Sequence, residues 1–221
     1  MIIAIIILIV LIMVIIPKKK VNVESQDFYF VYSKTSLPSQ AEKNCEEVFN
    51  LGGAGVVYNT LDKLYIVVGV YYSKSSAQSV VSNIKSTFPS AGIIKANMKT
   101  IDAKIQKKIK QNLVCFNFYN YYLNFLKTLY NSSIAYEKGD EQINDIYKKV
   151  LKFKTDIEQY KTSLNEKNDD ICKTMNTTIL VVQEYLQSFF SSAFVSSSMK
   201  KYISRLNVLL VEEFVNMNNL L

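Results

Sequence analysis

The chain has 221 residues, 49% of them hydrophobic and 20% charged, with a net charge of +7 and no histidine. That balance excludes a disordered polyelectrolyte, and the length suits one large or two small domains. Without histidine there is no Ser-His or Cys-His nucleophile pair and no imidazole ligand for zinc, so the sequence argues against an enzyme and against a metal or other cofactor.

Residues 2–16 are wholly apolar and rich in isoleucine. A helix of that length spans about 22 Å, short of the roughly 30 Å hydrocarbon core. No basic region precedes it and no Ala-x-Ala site follows, so residues 1–16 read as a transmembrane signal anchor with upstream residues missing, rather than a cleaved leader. Residues 17–26 form a polar linker, too short to cross a thick wall. Lys18, Lys19 and Lys20 lie in it, and the positive-inside tendency places them, with the chain that follows, in the cytoplasm.

Residues 27–99 contain a pattern that occurs twice. Phe28-Tyr29-Phe30-Val31-Tyr32-Ser33 is matched by Leu64-Tyr65-Ile66-Val67-Val68-Gly69, and Ala41 follows the first run at the distance at which Ala77 follows the second. Ala54-Gly55-Val56-Val57 closes one unit and Ala91-Gly92-Ile93-Ile94 the other. Each unit reads strand, helix, strand. Pro38 to Leu51 is helical, with Pro38 in the first turn and Gly52-Gly53 at its end. Ser75 to Thr87 is helical, with Ser73 or Ser75 as N-cap and Pro89 as terminator. Two such units predict a βαββαβ, ferredoxin-like sheet with both helices on one face. Strand alternation, with the more apolar set turned to the helices, predicts an open face carrying Tyr29, Val31, Ser33, Tyr65, Val67 and Gly69.

The run Tyr65-Ile66-Val67-Val68-Gly69-Val70-Tyr71-Tyr72-Ser73-Lys74-Ser75-Ser76-Ala77-Gln78 resembles the second repeat of the sporulation-related repeat (SPOR) domain. That family has a hydrophobic strand ending in Val-Gly-x-aromatic, a short polar loop, and a helix with an early alanine. Ile84 to Pro89 and the Gly-Ile-Ile strand fit as well. The first repeat departs from the pattern, with Ser33 where the family usually has glycine and Val31 where it often has a polar residue. The resemblance covers residues 28–95. It implies peptidoglycan binding, through glycan strands stripped of stem peptides, and a setting in cell division, sporulation or wall remodelling. It also implies an extracytoplasmic location, against the direction signalled by Lys18-Lys19-Lys20. The implied ligand surface is the open sheet face, with stacking on Tyr29 and Tyr65 and hydrogen bonds from Ser33, Ser73 and Ser75.

From residue 100 the periodicity becomes helical. One helix is expected from Ile101 to about Tyr136, broken by Gly139. Others are expected at 140–164, 170–194 and 196–218, with Ser196-Ser197-Ser198 capping the last. Short connections predict an antiparallel four-helix bundle over 100–221, for an α+β chain as a whole. The aromatic stretch Phe116 to Tyr122 should fill the core, its surplus docking on the sheet or on a partner.

The acidic pairs Glu46-Glu47, Asp169-Asp170 and Glu212-Glu213 read as solvated helix faces. Gly52-Gly53-Ala54-Gly55 lacks the Lys-Ser/Thr of a phosphate loop. Cys45, Cys115 and Cys172 are far apart in sequence and odd in number, and read as buried free thiols. The expectation is a membrane-anchored, non-catalytic peptidoglycan-binding protein whose bundle recruits division or sporulation partners. The alternative is a ferredoxin-like interaction or nucleic-acid-binding module joined to a helical scaffold. The Lys/Arg-Gly-Phe/Tyr-Gly/Ala-Phe signature of RNA-recognition sheets is absent from residues 64–71, so nucleic acid is not favoured.

Overall fold

The computed structural model describes residues 26–61, 63–192 and 199–221. The expected anchor at 1–16, most of the 17–26 linker and the Ser196–Ser198 cap lie outside these residues. No helix among the described residues is long and apolar enough to cross a membrane.

The chain is α+β. Four strands, β1 (Tyr29–Ser36), β2 (Val56–Asn59), β3 (Leu64–Tyr71) and β4 (Gly92–Lys95), make one antiparallel sheet in the order β2-β3-β1-β4. Helix α1 (Ala41–Asn50) joins β1 to β2, and α2 (Lys74–Ile84) joins β3 to β4. The termini of these helices follow local chemistry. A 3-10 turn at Pro38–Gln40 leads into α1, and Gly52 at φ 92° lies just beyond it. Ser73 caps α2 by accepting from the Ser76 amide. On these helices Val48, Ala77 and Val81 are buried.

The helical region differs from expectation at its start. The helix expected from Ile101 to Tyr136 is two: α3 (Ala103–Gln111) and α4 (Leu113–Lys138). Asn112 separates them with extended backbone, and its side chain accepts from the Cys115 amide as the cap of α4. An asparagine cap competes effectively with helix continuation, which hydrophobic spacing does not register. Gly139, at φ 80°, ends α4 as expected. Helices α5 (Ile143–Asn165), α6 (Asp170–Ser192) and α7 (Met199–Leu220) follow.

Helices α4 to α7 close into an antiparallel bundle. Phe118 meets Tyr160, and Lys149 donates to Ser132, so α4 and α5 run oppositely. Asn176 pairs with Asn165, and Tyr147 meets Phe190, which reverses α6 on α5. Tyr119 donates to Asn218 at 2.9 Å, and Tyr122 donates to the Leu210 carbonyl at 2.9 Å, which closes α7 on α4. Phe118, Tyr119 and Tyr122 are buried, as the aromatic stretch led one to expect.

Sheet and bundle share a core. Phe28, Phe30, Val67 and Val70 belong to one buried cluster with Leu123, Phe214 and Val211. The division at residue 99 is therefore a change of secondary structure within a continuous apolar interior. Asn218 and Asn219 reinforce it, donating to the carbonyls of Lys99 and Asn97 just after β4.

Candidate functional site

The two faces of the sheet are distinguished by what their side chains meet. Val31, fully buried, packs with Ala77, Val81 and Ala91, and Tyr29, Ile93 and Tyr71 join that cluster. This is the face covered by α2. Phe28 and Phe30 point the other way, where Phe28 meets Tyr72 and Phe214. The expected orientation of β1 is thus inverted: Tyr29 and Val31 lie under the short helix, and the larger aromatics face the bundle. The physical reason is volume. Helix α2 offers Ala77 and Val81, which suit a valine; the wide gap before α4 and α7 needs phenylalanine and tyrosine.

Strand β3 has the expected orientation at its start, with Tyr65 and Val67 on the bundle side. It then loses alternation. Val31 pairs with Gly69, Tyr32 with Val67 and Lys34 with Ile66, so the ladder shifts between Val31 and Tyr32 and again between Tyr32 and Lys34. Val67 and Val70 consequently both reach the bundle-side core, whereas Val68 and Tyr71 pack with α2. An inserted residue in a strand has this effect.

The eight residues expected on one surface are therefore dispersed. Tyr29 and Tyr65 lie on opposite faces. Val31 and Val67 are fully buried, and Gly69 is buried. Ser33 is 1% exposed and donates to the Ile66 carbonyl at 3.2 Å, so its hydroxyl is occupied within the sheet. Ser73 is engaged as the α2 cap, with Ser75 3.1 Å from its hydroxyl. The face opposite α1 and α2 is largely covered: Phe214 lies on Phe28, and Tyr130 stacks on Tyr72 at 4.4 Å.

What remains at the surface of that face is Tyr32 beside Tyr65, both half-buried, with ring centroids 4.8 Å apart. Tyr58 stands opposite Tyr65 across β2 and β3 and packs its ring on Phe30 at 4.5 Å. Tyr58 accepts from the Asn97 amide, and burial raises its phenol above the usual range. Gly92 pairs with Tyr32 across β1 and β4, and a side chain there would meet the Tyr32 hydroxyl. The Tyr32–Tyr65 pair is an aromatic step with two hydroxyls at the margin of the shared core. Sequence alternation missed Tyr32 because it assigned β1 to the wrong face.

Other chemistry-bearing groups come together away from this step. Arg205 donates to the carbonyls of Ala54 at 2.9 Å and Gly55 at 3.3 Å, with its guanidinium 3.7 Å from the centre of Phe49. It clamps the α1–β2 connection to α7. Glu212 and Glu213 are half-buried, unlike the solvated pair expected. Burial first, and the neighbouring carboxylate second, push Glu212 up to about 7. Cys115 and Cys172 are adjacent in space, with Asp169 beside them; the three offer donor atoms within 4.8 Å of one another. Cys45, expected to be buried like the other two, is only partly so and lies on α1.

Comparisons with protein-family models, curated proteins and solved structures find no match to this chain.

Proposed function

We propose that this chain is a membrane-tethered, non-catalytic protein that binds the glycan strands of peptidoglycan, using Tyr32 and Tyr65 as its sugar-stacking step. The observation that carries the reading is the half-buried Tyr32–Tyr65 pair, 4.8 Å apart on the sheet face opposite α1 and α2. It is supported by the βαββαβ order with strands β2-β3-β1-β4, which is the ferredoxin-like arrangement. The Val68-Gly69-Val70-Tyr71 stretch and the Ser73-capped helix with Ala77 keep the resemblance to a SPOR repeat. Residues 2–16 would hold the chain at the membrane, and the bundle would be a rigid platform for division or sporulation partners.

The step is smaller than a fully open sheet. Two sugar–aromatic contacts, each on the order of 1 kcal/mol, support weak single-site binding, so retention at the wall would depend on tethering and many sites. A second reading, a protein-interaction scaffold, is favoured by one observation: Phe214 and Tyr130 occupy the rest of that face.

The test is sedimentation of the full chain in detergent with purified peptidoglycan, before and after amidase removal of stem peptides. Binding should rise on stripping and fall roughly 10- to 30-fold in Tyr32→Ala/Tyr65→Ala. Tyr29→Ala, on the α2 side, should leave binding intact. A folded protein that does not sediment with either preparation would sink the glycan reading and leave the scaffold.

A further inference from the structure

The first turns of α4 and α6 have the same construction. Asn112-Leu113-Val114-Cys115 and Asp169-Asp170-Ile171-Cys172 each place a capping side chain three residues before a cysteine. Each cap accepts from the amide of its own cysteine: Asn112 Oδ1 from Cys115 at 3.4 Å, and Asp169 Oδ1 from Cys172 at 3.0 Å. Asn112 Nδ2 then donates to Asp169 Oδ2 at 3.2 Å, which ties one cap to the other. The two sulfurs are fully buried and 2.7 Å apart, inside van der Waals contact.

We propose that Cys115 and Cys172 form a disulfide that staples α4 to α6 at this end of the bundle. The inference does not rest on the glycan reading. A metal is the competing use of such a cluster, and the sulfur separation lies nearer to that of a disulfide. Two thiolates on one tetrahedral zinc, each about 2.3 Å from the metal, stand about 3.8 Å apart. A disulfide needs about 2.05 Å. The sulfurs would have to separate by about 1.1 Å to share zinc, but approach by only about 0.7 Å to bond.

The reaction balances with a small disulfide as oxidant. One cysteine thiolate attacks oxidised glutathione, releasing one glutathione thiol and leaving a mixed disulfide. The second cysteine displaces the remaining glutathione, and the two protons leave on the two glutathione thiols. Both cysteines are closed to solvent, so the step requires the helix ends to open; the same burial pushes the Cys115 thiol far up. An open cleft of about 970 Å³ is lined by the two caps, Asn112 and Asp169, and a second recess is lined by Cys172.

Full-length protein in detergent is equilibrated with a mixture of reduced and oxidised glutathione, which does not hold a lone thiol such as Cys45 as a mixed disulfide, then denatured and alkylated without reduction. One alkylated cysteine per chain is expected, Cys45, rising to three after reduction, with a cross-linked peptide joining Cys115 to Cys172. These cysteines are 57 residues apart, so oxidation should raise Tm by about 10 °C. Cys45→Ser should keep that shift and Cys115→Ser/Cys172→Ser should lack it. Three alkylated cysteines in the oxidised sample would overturn the proposal. So would pairing through Cys45, or thiol protection that a chelator removes along with one equivalent of zinc.

Discussion

Phe28 and Phe214 meet edge to face with ring centroids 6.1 Å apart, and both are essentially inaccessible to solvent. One precedes the first strand and the other sits in the last helix. Tyr119 and Tyr122 approach the same Phe214 ring from α4, at 5.1 and 5.4 Å. Phe214 is therefore where sheet and bundle become one core.

Phe214→Ala should cost about 3–5 kcal/mol, the range for removing a buried phenylalanine. The loss should fall on sheet and helices alike. Near-ultraviolet and far-ultraviolet circular dichroism during urea unfolding should give one coincident transition in both proteins, at lower urea in the variant. Two separated transitions in the parent would show that the regions fold apart.

Gly55 has φ 56°, and a side chain there would overlap the Cys45 carbonyl oxygen and crowd Phe49. Gly55→Ala should therefore cost more than left-handed strain alone, about 3 kcal/mol or more. Gly139, at φ 80°, has open space around it. Gly139→Ala should cost only about 1 kcal/mol. Chemical denaturation of both variants gives the comparison, and equal losses would contradict the crowding.

The Glu212 carboxyl titrates near 7 in the folded chain, above its ordinary 4.5. The folded state holds that proton over a pH range where the unfolded chain releases it. The group thus favours folding most below pH 4.5, and its contribution falls as pH rises towards 7. After allowance for solvent screening at a half-buried site, stability should drop by roughly 1–2 kcal/mol between pH 5 and 8. Glu212→Gln should flatten that drop. Asp156 and Asp169 act in the opposite direction. Burial alone would raise both, but hydrogen bonds from Lys152 and Tyr121 to the first, and from Cys172 and Asn112 to the second, hold them low. Their contribution is lost only below about pH 4.

Much of the architecture was legible because it rests on local signals. The repeated strand runs, Ser73, Gly52 and Gly139 mark their elements through side-chain and backbone chemistry that acts within a few residues. The faces of the sheet were not legible. Alternation says which residues share a face, but what lies above each face depends on Ala77, Phe214 and Tyr130, far away in sequence. The shifts around Tyr32 and Val68 then break the period itself. The cysteine pair was hidden for a similar reason: 57 residues separate its members, and only the parallel placement of two helix starts brings them together.

The covering of the sheet by α7 sets an order on biosynthesis. Lys99 donates to Asn219 across 120 residues. At translation rates of about 5–20 residues per second, Phe28 and Phe30, at the start of the sheet, wait on the order of ten seconds for their cover from α7. Through that interval the nascent sheet lacks the cover that Phe214 gives Phe28. The shared core is therefore completed only when the last helix has been made.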